Sequence, residues 1–125
     1  MIWSRRTWTT LAALGGFVSV AVGAFAAHGV SDPQAKAWLQ TGSTYAFLHS
    51  LAVLACAALV SAMPRARLAP GFFIPGGIVF AGSLYAMAFG APRWFGAITP
   101  IGGVLFLLGW LVLAWAAQDL DRLPA

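Results

Sequence analysis

Every charged residue in this chain lies between or beyond four long apolar runs, and that arrangement leaves few folds open. The first run covers residues 7–27, about 21 positions. As a helix it would measure about 31 Å, the thickness of a bilayer's hydrocarbon core. Three more runs follow, at about residues 43–62, 71–89 and 98–117. In hydrocarbon a segment must satisfy its own backbone polar groups, so each run is predicted as a helix. The composition agrees: 61% of residues are hydrophobic and 8% charged, against about 25% charged in a soluble domain. One small globule could not bury that much apolar surface. The prediction is all-α, a four-helix transmembrane bundle forming one integral membrane domain over residues 1–125.

Several function classes fall away at this level. The net charge is +4, but the basic residues are scattered between apolar blocks and form no patch for nucleic acid. The single cysteine, Cys56, excludes an internal disulfide. There is no glycine-rich phosphate loop, no CxxC motif and no pair of carboxylates within the spans. A Ser-His pair would lack an orienting carboxylate, and no Gly-x-Ser-x-Gly turn is present. The chain is therefore not expected to be an enzyme.

The boundaries carry helix signals. Asp32 followed by Pro33 reads as an N-cap and first helical residue. A short helix along the membrane surface, residues 33–40, is predicted between helices 1 and 2, with Gly42 ending or bending it. Arg5-Arg6 before the first run, with Ala24-Phe25-Ala26 near its end, resembles an export signal with a cleavage site. The run is longer than a usual signal core and more spans follow it, so a retained helix is expected. Gly15, Ser19, Gly23 and Ala27 form a stripe of small residues on which a neighbouring helix can pack closely. With four crossings, Arg5, Arg6, Arg65, Arg67 and Arg122 share one side and Lys36 and Arg93 the other. That bias places both termini in the cytoplasm.

The polar residues within the spans are few. Tyr45 and His49 are four apart, hence on one helical face. A histidine in such a segment must be satisfied by a neighbour. With a second helix beginning near Ser43, His49 lies about 9 Å below the outer surface. Thr41, Tyr45, His49, Ser83, Tyr85 and Thr99 then gather in the outer half, near His28 at the end of helix 1, above an apolar floor. The leading reading is a hydrogen-bonded plug joining the helices, with His49 bonded to Tyr85 or to a backbone carbonyl. The alternative is a pocket that binds a small molecule or lipid headgroup through these residues. A metal or haem carrier comes third: the two histidines lie at different heights, and no carboxylate or thiolate accompanies them at that depth. No cofactor is expected. A proton path has no titratable group in the inner half.

GAFAAHG at 23–29, TGSTYAFLH at 41–49, AGSLYAMAF at 81–89 and GAITPIGG at 96–103, followed by Gly109-Trp110, resemble the YgdD-like family of small inner-membrane proteins. The resemblance covers about residues 8–117. The first block departs from the usual pattern at Ala26, where a second glycine is common. The resemblance implies a four-helix inner-membrane protein with no established activity, substrate or cofactor. Its pattern includes His28, Thr41, Gly42, Tyr45, His49, Gly82, Ser83, Tyr85, Thr99, Pro100, Gly102 and Gly103, matched at each position. A mitochondrial relative in animals makes a larger membrane complex an expected partner, alongside membrane lipids. The overall expectation is a structural or accessory membrane subunit.

Overall fold

In the computed structural model, which describes residues 4–122, helix α1 (Arg5–Gly29) begins where the Ser4 hydroxyl accepts the Thr7 amide at 3.2 Å. It ends at Val30, whose backbone is extended. Helix α2 (Pro33–Leu59) starts as its sequence suggests: the Asp32 carboxylate accepts the Ala35 amide at 2.9 Å and Pro33 holds the first position. A 3₁₀ turn, Pro64–Leu68, leads into α3 (Pro70–Ala88). Gly90 closes α3 with a φ of 107°. The Ala91 amide donates to Ala86 and the Gly90 amide to Met87, at 2.9 and 3.1 Å. This paired helix stop requires a left-handed residue, and glycine adopts it without strain. After a second 3₁₀ turn, Arg93–Ala97, α4 (Thr99–Ala116) runs back, followed by a turn at Ala117–Arg122. All four helices are long and apolar enough to cross a membrane.

The separate surface helix expected at 33–40 is not there. Pro33–Leu59 is one continuous helix of 27 residues. Gly42 does not bend it; the missing side chain is used for contact instead. A Cβ at Gly42 would lie 2.9 Å from Tyr85 Cε1 and 3.3 Å from Ala81 Cα, so glycine lets α2 and α3 touch. Gly42 stands nine positions into α2, while Tyr85 stands three from the end of α3. By helical rise, the α1–α2 hairpin stands about 9 Å proud of α3.

Each helix packs on the next in sequence, and α1 barely touches α3. The inner pair is covered and the outer pair is not: 44% of the α2 span and 33% of the α3 span is buried, against 17% for α1 and for α4. Small residues set the crossings, as expected where helices associate by close packing in lipid. At the α3–α4 crossing, a Cβ on Gly102 would lie 2.5 Å from the Phe80 amide nitrogen and 2.8 Å from the Gly76 carbonyl. At the α1–α2 crossing, a Cβ on Gly15 would lie 2.5 Å from the Ser50 hydroxyl. The small-residue stripe of α1 therefore faces α2, within the bundle.

One end of the bundle carries Arg5, Arg6, Arg65 and Arg67. Here Asp119, 5% exposed, closes the structure. Its carboxylate accepts the Arg65 amide at 2.8 Å and pairs with the Arg65 guanidinium at 3.2 Å. That guanidinium also lies 4.4 Å over the Trp115 ring. One carboxylate thus caps the α2–α3 turn and fastens it to the end of α4.

Candidate functional site

The polar side chains form two layers rather than one cluster. The first lies toward the Lys36 and Arg93 end. There the Ser43 and Tyr85 hydroxyls meet at 2.8 Å, joining α2 to α3. Ser83 and Thr99 meet at 2.6 Å, joining α3 to α4. Ser83 donates its one proton to the Phe80 carbonyl at 3.0 Å. Thr99 must therefore be the donor in the Ser83–Thr99 bond.

The second layer is built around His49, six residues or about 9 Å further along α2 than Ser43. His49 is buried, at 7% exposure. Its Nδ1 lies 2.6 Å from the Tyr45 carbonyl oxygen one turn back. A carbonyl only accepts, so Nδ1 carries the proton. Nε2 is then a bare lone pair, and it accepts the Trp110 indole N–H at 3.0 Å. Each bond requires the same neutral tautomer, so the ring's state follows from its partners. The imidazole lies flat on Phe106, with centroids 3.6 Å apart and planes within 9°. Phe73 tilts against it at 5.4 Å. Aromatic rings from α3 and α4 thus surround a histidine of α2.

The arrangement limits the chemistry. Both ring nitrogens serve neighbours, so the imidazole has neither a free lone pair for a metal nor a free base for a proton. A haem iron or a transition-metal ion at Nε2 would have to displace Trp110. Among the described residues, no three His, Cys, Asp or Glu side chains come together as a metal site would need.

The sequence-predicted residues divide accordingly. Ser43, which no pattern in the sequence singles out, pairs with Tyr85; Ser83 pairs with Thr99; His49 pairs with Trp110. Tyr45 contributes its carbonyl and a ring packed on Phe80 at 5.2 Å, while the residue remains 45% exposed. Thr41 is exposed on α2, and His28 is exposed in the last turn of α1. Neither joins a layer.

His49 also lies deeper than expected; of the two partners expected for it, the backbone carbonyl is found, on Tyr45, while Tyr85 bonds to Ser43 instead. The reason is the continuity of α2. The helix begins at Pro33, so His49 lies about 24 Å from its start and about 15 Å from its end. The missed partner left a signal in the sequence. Of six tryptophans, Trp110 alone sits well inside a span rather than near a boundary. An indole N–H there needs an acceptor, and the imidazole of His49, also well inside a span, can supply one.

Comparison with known proteins agrees with a membrane protein. A family model described as "Protein of unknown function (DUF423)" matches residues 22–103. A "UPF0382 membrane protein" of Haemophilus influenzae is 46% identical over 119 residues, covering 90% of this chain and 94% of the relative. The "UPF0382 inner membrane protein YgdD" of Escherichia coli K12 is 39% identical over 128 residues, covering 95% of each. A "UPF0382 membrane protein" of Staphylococcus epidermidis is 40% identical over 116 residues, covering 89% of this chain and 94% of the relative. None of these names carries an enzymatic activity. No solved structure matches.

Proposed function

Because this chain belongs to the DUF423 family of membrane proteins, we propose that it serves as a small non-catalytic accessory subunit of the inner membrane. Its polar residues act as internal fasteners rather than as a reaction centre. The observation that carries this reading is the use of His49. It is the one titratable imidazole within the bundle, and its two nitrogens are spent on Tyr45 and Trp110. The hydroxyls of Ser43, Tyr85, Ser83 and Thr99 are likewise spent on each other. Interhelical bonds of this kind contribute about 0.6–2 kcal/mol each in lipid. They make a rigid α2–α3–α4 unit, which suits a scaffold better than a catalyst.

A larger membrane complex is the expected partner, met through the outward faces of α1 and α4. Affinity purification of the tagged protein in mild detergent should bring down a defined membrane protein in constant ratio. A protein that always purifies alone would argue against an accessory role. Both termini lie in the cytoplasm on this reading, since five basic residues stand at the terminal end and two at the other. A C-terminal reporter active only in the cytoplasm tests that orientation. Signal from the periplasmic form of the reporter would reverse it.

A further inference from the structure

The weak contact between α1 and α3 leaves a groove of about 350 Å³, floored by Ala46 and Ser50 of α2. On the α3 side it runs from Phe73 to Tyr85, twelve positions or about 18 Å. Its depth comes from absent side chains: Gly77, Ala81 and Gly82 form the recess. The groove lies parallel to the membrane-spanning helices, the direction in which lipid chains run. Phe73 and Tyr85 each stand three positions from an end of α3, so the groove crosses the middle of the bundle.

The two ends of the groove differ in charge. Near Tyr85 the polar group is already used, because the Tyr85 hydroxyl is bonded to Ser43. Near Phe73 the bundle reaches its arginine end. There Arg65 is neutralised by Asp119. Arg5 donates to the neutral Ser61 hydroxyl and Arg67 to the Pro64 carbonyl, and these bonds position the side chains without cancelling their charge. Arg5, Arg6 and Arg67 are all exposed.

We propose that the α1–α3 groove holds one acyl chain of an anionic phospholipid, with its headgroup against Arg5, Arg6 and Arg67. The chain fills the recess beside Gly77 and Gly82, and its methyl end points toward Tyr85. The lipid supplies the contacts that α1 and α3 do not make with each other. This site is separate from the two polar layers and does not depend on the accessory role.

The test uses the purified full-length protein in mild detergent. Native mass spectrometry and thermal unfolding are followed as dioleoyl phosphatidylglycerol or dioleoyl phosphatidylcholine is added. One phosphatidylglycerol should be retained per chain, with a larger rise in melting temperature than phosphatidylcholine gives. Gly77→Leu and Gly82→Leu fill the recess. A Cβ at Gly82 meets nothing within 4 Å, and one at Gly77 meets only Phe106 at 4.0 Å, so both variants should fold. Each should lose the retained lipid and the thermal rise. Removing the arginines singly as Arg5→Gln, Arg6→Gln and Arg67→Gln should cut the preference for the anionic lipid by about fivefold each. Equal retention of the two lipids, or unchanged retention in either leucine variant, would overturn the proposal. Should one leucine variant fail to fold, the other still decides between a filled and an empty groove.

Discussion

Helix α1 and the α2–α3–α4 unit are held in place by different means. Within the unit, a side-chain hydrogen bond joins each pair of helices: Ser43 to Tyr85, Ser83 to Thr99 and His49 to Trp110. Among the described residues, helix α1 makes no such bond within the membrane. Its Ser19 hydroxyl turns back to its own Gly15 carbonyl at 2.8 Å, and its side-chain link to another element, Arg5 to Ser61, lies at the arginine end. Contact with α2 through small residues does the rest. The difference shows that one small membrane protein can fasten some helices by bond direction and another by shape alone. The second kind leaves room for a groove; the first does not.

The largest test of this contrast compares two glycines. Gly102→Val should cost about 3 kcal/mol or more, because its Cβ meets the backbone of α3 and neither helix can yield. Gly15→Ala should cost less than about 1 kcal/mol, because the obstructing atom is the Ser50 hydroxyl, which can rotate away. Thermal unfolding in detergent reads both. Equal losses would erase the distinction between the bonded unit and α1.

Next in size, His49→Leu should cost about 2–3 kcal/mol, since it orphans the Trp110 N–H and removes the ring stacked on Phe106. Trp110 fluorescence should change with it. His28→Leu, at an exposed position, should stay within about 0.5 kcal/mol. Similar melting shifts for the two histidine variants would contradict the layered arrangement. Tyr85→Phe should cost about 1 kcal/mol by leaving Ser43 without its partner. No change in melting temperature would mean that the hydroxyl layer adds no stability.

The spans were legible because charge is excluded from hydrocarbon, so the positions of ten charged residues mark four crossings. Asp32-Pro33 was legible because capping is local chemistry, decided within four residues. The site was legible only in part. Tyr85, Ser83 and Thr99 could be placed by counting helical rise, but Gly42 reads in the sequence as an end or a bend rather than as a point of close approach. Only the Tyr85 ring lying across it decides between the two, and that contact is long-range. The same holds for Trp110, whose acceptor sits on another helix. Asp119 reads as part of a polar tail until Arg65 is seen against it.

The His49–Trp110 bond links positions 61 apart in the chain, and this has a consequence for biosynthesis. As the polypeptide is made from its N-terminus, α2 enters the bilayer carrying an imidazole whose donor has not yet been translated. Helix α3 must follow before α4 delivers the indole. Until then Nε2 of His49 lacks its native donor, and α4, the last helix to be made, completes the polar interior.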